Sequence, residues 1–156
     1  MSKPKFVYVT YISTTPEKLW NALSDSKMTK QYWYGHRNAS DWKVGSVWKH
    51  EDYDDASQVD IMGKVVESDP PRRLVLSWFF PSDAKAEEKH SQVTFEIEPV
   101  TDAVRLTVTH EELEPDSPML NGITWGWPAV LSSLKTLLET GRALPMSTRR
   151  TTIPPA

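Results

Sequence analysis

The sequence predicts an α+β fold, a curved six-stranded antiparallel sheet wrapped round a long C-terminal helix, with two short helices between strands 1 and 2. Three observations carry this. Apolar residues alternate with a period of two across most of residues 43–112, as in strands with one covered face. Leu120, Ile123, Trp127, Leu131, Leu134 and Leu138 then recur at spacings of three and four, which marks a long amphipathic helix. Two helix-start signals lie close together between a first strand-like run and the period-two region.

In chain order, residues 6–12 are β-branched or aromatic throughout and read as the first strand. Thr15 before Pro16 and Glu17 starts a helix, because proline is tolerated at the first helical position and the hydroxyl can accept from an orphan N–H. Leu19, Trp20 and Leu23 mark one face of that helix, which ends near Ser24. Asp25 or Ser26 caps a second helix through Met28, Tyr32 and Trp33, with Gly35 as its exit. Five further strands are expected over roughly 43–51, 58–68, 72–80, 90–98 and 103–112. Val59, Ile61, Gly63 and Val65 share an inner face, as do Leu74, Leu76, Trp78 and Phe80. Val93, Phe95 and Ile97, and then Val104, Leu106, Val108 and His110, continue it. Asp60, Lys64, Thr94, Glu96, Arg105 and Thr107 fall on the opposite, wetter face. Ser117 and Pro118 start the long helix over 118–141, and Gly141 stands at its C-cap. Pro128 should kink it, either opening a ligand entrance or separating a short leading segment from the main helix. One domain is expected over residues 1–141 and a partly disordered tail over 142–156.

Composition removes several function classes. With no cysteine among 156 residues there is no disulfide framework, no thiolate nucleophile and no Cys-ligated metal. Eighteen basic against 21 acidic residues, and a pI near 5.8, argue against nucleic acid or a polybasic membrane anchor as partner. No apolar run approaches a membrane span, and residues 6–12 are too polar for a signal core, so a cytoplasmic location is expected. No phosphate-binding glycine loop, nucleophile elbow or dinucleotide fingerprint is present, and no cofactor is expected. The acidic run at 50–55 lacks the glycine and terminal glutamate of a calcium loop and reads as a solvated turn, not a metal site. What remains is an excess of aromatics, with seven Trp, five Tyr and four Phe. A six-stranded sheet curls under its own twist, and one helix on its concave face leaves a cavity.

Residues 12–25 (I-S-T-T-P-E-K-L-W-N-A-L-S-D), 42–48 (W-K-V-G-S-V-W), 63–78 (G-K-V-V-E-S-D-P-P-R-R-L-V-L-S-W), 93–98, 105–110 (R-L-T-V-T-H) and the stretch from Gly126-Trp127 onward fall in a telling order. Together they resemble the activator of heat-shock-protein-90 ATPase homologue-like family, in the START-like, helix-grip superfamily that also holds polyketide cyclases and the birch-pollen allergen. The resemblance runs from about residue 6 to 141 and implies a hydrophobic cavity able to hold a small ligand. The family's eukaryotic co-chaperone carries a separate N-terminal domain that engages the chaperone, whereas this chain begins at its first strand. Chaperone activation is accordingly not the first expectation.

Trp33, Trp48, Trp78, Phe80, Phe95 and Trp127 are the expected aromatic lining, although large aromatics also fill wide gaps under a curved sheet. His50 and His110 should project toward the cavity mouth, where either could orient a polar ligand head, move a proton, or simply be satisfied by backbone or water. With no carboxylate partner fixed by spacing, no catalytic residue is assigned, and replacing either by Asn should leave the fold intact. The function expected is non-catalytic binding of a small hydrophobic or amphipathic molecule, with a regulatory role toward a protein partner as a further expectation. The alternatives are a cyclase- or hydratase-type enzyme using a cavity histidine, and a chaperone ATPase cofactor.

Overall fold

The structure, a computed structural model, describes residues 3–145. Its strands are β1 (Phe6–Ile12), β2 (His36–Ala39), β3 (Val47–Asp52), β4 (Val59–Asp69), β5 (Arg73–Trp78), β6 (Ser91–Val100) and β7 (Ala103–Glu111). Its helices are α1 (Pro16–Ser24), α2 (Ser26–Tyr32) and α3 (Pro118–Thr140). The strands form one antiparallel sheet in the order β1-β7-β6-β5-β4-β3-β2. Consecutive hairpins build six of its strands, and β1 alone crosses over, to pair with β7.

The helices start where side-chain chemistry dictates. Thr15 Oγ1 accepts from Lys18 N at 3.2 Å, and Asp25 Oδ1 accepts from Lys27 N at 2.7 Å, so Asp25 is the cap of α2. Ser117 Oγ accepts from Leu120 N at 3.1 Å ahead of Pro118, and Gly141 ends α3 in the left-handed region at φ 86°. The inner sheet face and α3 share one core. Val93, Val104, Leu106, Val108 and Leu134 are wholly buried in it, beside Phe95, Trp127 and Leu131. Each such side chain contributes roughly 1.5–3 kcal/mol relative to exposure. On the outer face Arg73 bridges Glu67 and Glu96 at 2.9 and 2.8 Å, and Arg105 holds Glu98 at 2.7 Å.

The sheet has seven strands, not the expected six. The additional one is β2, whose residues His36-Arg37-Asn38-Ala39 carry no apolar alternation and pair with β3 through the backbone ladder and through polar side chains, Arg37 on Glu51 and Asn38 on His50. The strand expected from residue 43 starts only at Val47, because residues 42–46 form a turn with Trp42 and Gly45 at positive φ. That turn is tied to β4 by Gly45 N donating to Val65 O at 2.8 Å and Val65 N donating to Ser46 O at 2.9 Å. Nor does α3 break at Pro128, since the helix runs from Pro118 to Thr140. A proline removes one backbone donor, and Trp127, Val130 and Leu131 beside it are buried against the sheet. Residues 142–145 turn back on α3, with Leu144 N donating to Ser133 Oγ at 3.3 Å and Ala143 packed on the core. The frayed end expected after them lies outside the described residues.

Gly122 and Gly126 sit one turn apart in α3, and a Cβ at either would meet no atom within 4 Å. Gly122→Ala and Gly126→Ala are therefore expected to stabilise the domain by about 0.5–1 kcal/mol each, through helix propensity alone. Denaturation midpoints of the two variants check this.

Candidate ligand-binding cleft

Between the N-terminal half of α3, the open end of the β3–β5 hairpins and the α2–β2 corner lies a cleft of about 460 Å³. Its floor is three indoles. Trp33, at the end of α2, stacks on Trp78 of β5 at 6.2 Å, and both meet Trp127 of α3, at 5.6 and 5.3 Å respectively. Trp125, an exposed indole of α3, stands on the wall beside Ile123 and Met119.

Each indole is placed by a local device. Tyr32 Oη donates to Ala22 O at 2.8 Å, and Thr29 Oγ1 accepts from Asn38 N at 3.0 Å, so α2 is fastened to α1 and β2 and holds Trp33 inward. Trp127 is held by a directional relay. Its Nε1–H donates to His110 Nδ1 at 3.0 Å, so the ring proton of His110 must sit on Nε2. That Nε2–H donates to Ser91 Oγ at 2.8 Å, and the Ser91 hydroxyl donates to the backbone carbonyl of Trp78 at 2.6 Å. Helix and sheet are thus joined through one neutral imidazole. Burial pushes the pKa of His110 from 6.5 down to about 3. Trp78 Nε1 finds no acceptor among the described residues, an orphan donor that costs about 1–3 kcal/mol.

The other end of the cleft is polar. His50 Nδ1 donates to Asn38 Oδ1 at 2.7 Å, which fixes the plane of the ring. The His36 ring stacks on it at 4.8 Å, with Nε2 3.0 Å from Asp60 Oδ2 and Nδ1 3.2 Å from Tyr34 O. Tyr34 and Gly35 both take positive φ, 56° and 75°, in the sharp turn that carries the chain from α2 into β2. Asp60 was expected on the wet face, yet it lines the cleft together with its neighbour Ile61. The register explains the difference. Ile61 pairs with His50 and Val59 with Glu51, so Asp60 is the extra residue of a β-bulge, and a bulge re-aims a side chain.

Of the residues singled out in the sequence, Trp33, His50, Trp78, Phe80 and Trp127 line the cleft. Trp48, Phe95 and His110 stand one layer behind it. Trp48 packs against Trp78 at 4.7 Å, Phe95 against Trp127 at 5.8 Å, and His110 is fully buried instead of projecting at the mouth. The residues that sequence reasoning passed over are Asp60, Tyr34 and Trp125; only the aromatic character of the last two was a signal. The acidic run after His50 forms a tight turn in which Asp52 Oδ1 accepts from Asp54 N and Asp55 N. Among the described residues no group of three or more His, Asp or Glu is arranged to hold a metal, and no helix is long and apolar enough to cross a membrane.

No curated protein matches the chain. Solved structures do. MLL2253 from Mesorhizobium loti is 25% identical, with a TM-score of 0.72 over 86% of this chain and 96% of its own. PFC0360w, an HSP90 activator from Plasmodium falciparum, is 23% identical, with a TM-score of 0.72 over 86% of this chain and 95% of its own. CalU16 from Micromonospora echinospora is 18% identical, with a TM-score of 0.71 over 93% of this chain and 80% of its own. All share the curled antiparallel sheet and C-terminal helix of the START-like, helix-grip fold. Residues 13–139, from the turn after β1 to the last turn of α3, match the family described as Activator of Hsp90 ATPase homolog 1-like protein, and to that family the chain belongs.

Proposed function

We propose that the protein binds a small amphipathic molecule in the tryptophan cleft, without transforming it. The observation that carries this reading is the floor of three indoles, Trp33, Trp78 and Trp127, facing about 460 Å³ of open volume with a polar end at His50 and Asp60. Ligand sites combine a mostly apolar wall with a few placed polar groups, and this cleft has both. Binding is favoured over proton transfer because the carboxylate of Asp60 is paired with His36, while His50 is oriented by the amide of Asn38.

The test uses a neutral apolar probe, 2-naphthylmethanol. It should quench or shift tryptophan emission and raise the melting temperature. Ligand at 100 times its dissociation constant adds about 2.7 kcal/mol, a shift of several degrees in a domain this size. Gly126→Leu, which places a side chain in the open space of the cleft wall, should abolish both responses while the domain stays folded. Absence of any response in the wild type would sink the reading. A chaperone-regulating role is the second reading, supported by family membership and by the description of PFC0360w as an HSP90 activator. Stimulation of an Hsp90 ATPase by this chain is its direct test.

A further inference from the structure

The two outer strands of the sheet end it in different ways. β2 is four residues long, and its Asn38 N–H is taken by Thr29 Oγ1 at 3.0 Å. β1 is seven residues, all β-branched or aromatic, and its register with β7 runs without a bulge. Short strands, charges, prolines and bulges are the devices that keep an edge from pairing, and β1 has none of them between Phe6 and Ile12. We infer that this edge is an interface for a second copy of the chain, whose β1 pairs antiparallel with it and continues the sheet across a two-fold axis.

The backbone decides the register. Tyr11 O accepts from Lys135 Nζ at 2.6 Å and Ser13 N donates to Glu139 Oε2 at 2.8 Å, both side chains belonging to α3. By the alternation of an antiparallel ladder, the odd-numbered residues of β1 therefore turn their N–H and C=O away from β7. Left on the open edge are the Tyr11 N–H and both groups of Val7 and Val9, which no side chain caps among the described residues. Pairing Val7 with Val9 of the second copy, and Val9 with its Val7, gives each of these groups a partner. The axis then passes at Tyr8, and the Tyr11 N–H meets the Lys5 carbonyl of the other copy.

The exposed side chains fit the same register. Val7, Val9 and Tyr11 stand in one row, each about half exposed, and exposed Lys5 continues it. Valine comes to lie beside valine, and each Lys5 ammonium lies against the Tyr11 ring of the other copy. The edge complements a strand with a cation at one end and an aromatic ring at the other, and β1 is itself such a strand.

Sedimentation equilibrium of the full chain at pH 7.5, from about 10 μM to about 1 mM, should show the mass rising from 17.8 kDa towards twice that value. Val9→Pro removes an N–H that faces away from β7, so it costs the monomer no ladder bond. That variant should keep the mass of one chain throughout, with its melting curve showing that it is folded. Should it fail to fold, Val9→Lys serves instead, because it sets like charges of the two copies side by side near the axis. A wild-type mass that stays at one chain up to about 1 mM would overturn the inference. So would a dimer that the folded variant retains at wild-type strength.

Discussion

Alanine at position 63 is expected to cost the domain about 3–5 kcal/mol, because overpacking against rigid backbone adds to a lost buried hydrogen bond. Trp48 on β3 faces Gly63 directly across the β3–β4 ladder, and its indole passes over the glycine to donate Nε1–H to Ser77 O at 2.8 Å. A Cβ at residue 63 would land inside the Ser77 carbonyl and crowd Trp48 Nε1. The obstacle is backbone, so no rotamer change relieves it. Either the strands part or the indole leaves, and the displaced Trp48 is the ring on which Trp78 rests at 4.7 Å. Urea denaturation of Gly63→Ala gives the cost directly, and a midpoint close to wild type would show that the indole does not need this path.

His110→Ala should rank next, at about 2–4 kcal/mol, since it opens a cavity and leaves the Trp127 indole N–H without its acceptor. The sequence reading placed this ring at the cavity mouth, whereas it is fully buried and ties helix to sheet. The same group makes stability depend on pH. His110 stays neutral in the folded state down to about 3, whereas the unfolded chain takes up a proton below about 6.5. Its contribution is therefore complete above 6.5 and is lost as the pH falls from 6.5 towards 3. The slope approaches about 1.4 kcal/mol per pH unit. Between pH 6.5 and 4.5, before the carboxylates titrate, the wild-type midpoint should drop more steeply than that of His110→Gln. Parallel curves for the two proteins would refute the assignment.

Sequence periodicity reports which face a side chain takes, and here it did so well for β6, β7 and α3. It does not report depth. Trp48, Phe95 and His110 were read on the inner face, as they are, but their distance from the open space depends on what α3 lays over them. Helix starts were legible because Thr15, Asp25 and Ser117 act on residues two or three positions away, a local matter. β2 was not, because its place in the sheet is set by pairing with β3 and not by any alternation of its own side chains. Asp60 was misplaced for a related reason. A bulge is a mismatch between two strands, so neither strand carries it alone.

The single crossover in the sheet has a consequence for how the chain comes together. Phe6 pairs with His110 and Ile12 with Val104, so the first strand to leave the ribosome has no partner until the last strand is made. The hairpins from β2 to β7 can close one after another as they emerge, each on its sequence neighbour. Their completion creates the edge that β1 needs, and α3 follows later still. Such a long-range closure is slow compared with hairpin formation, and it leaves the strand's hydrophobic residues uncovered meanwhile. In this domain the first strand made is the last strand to pair.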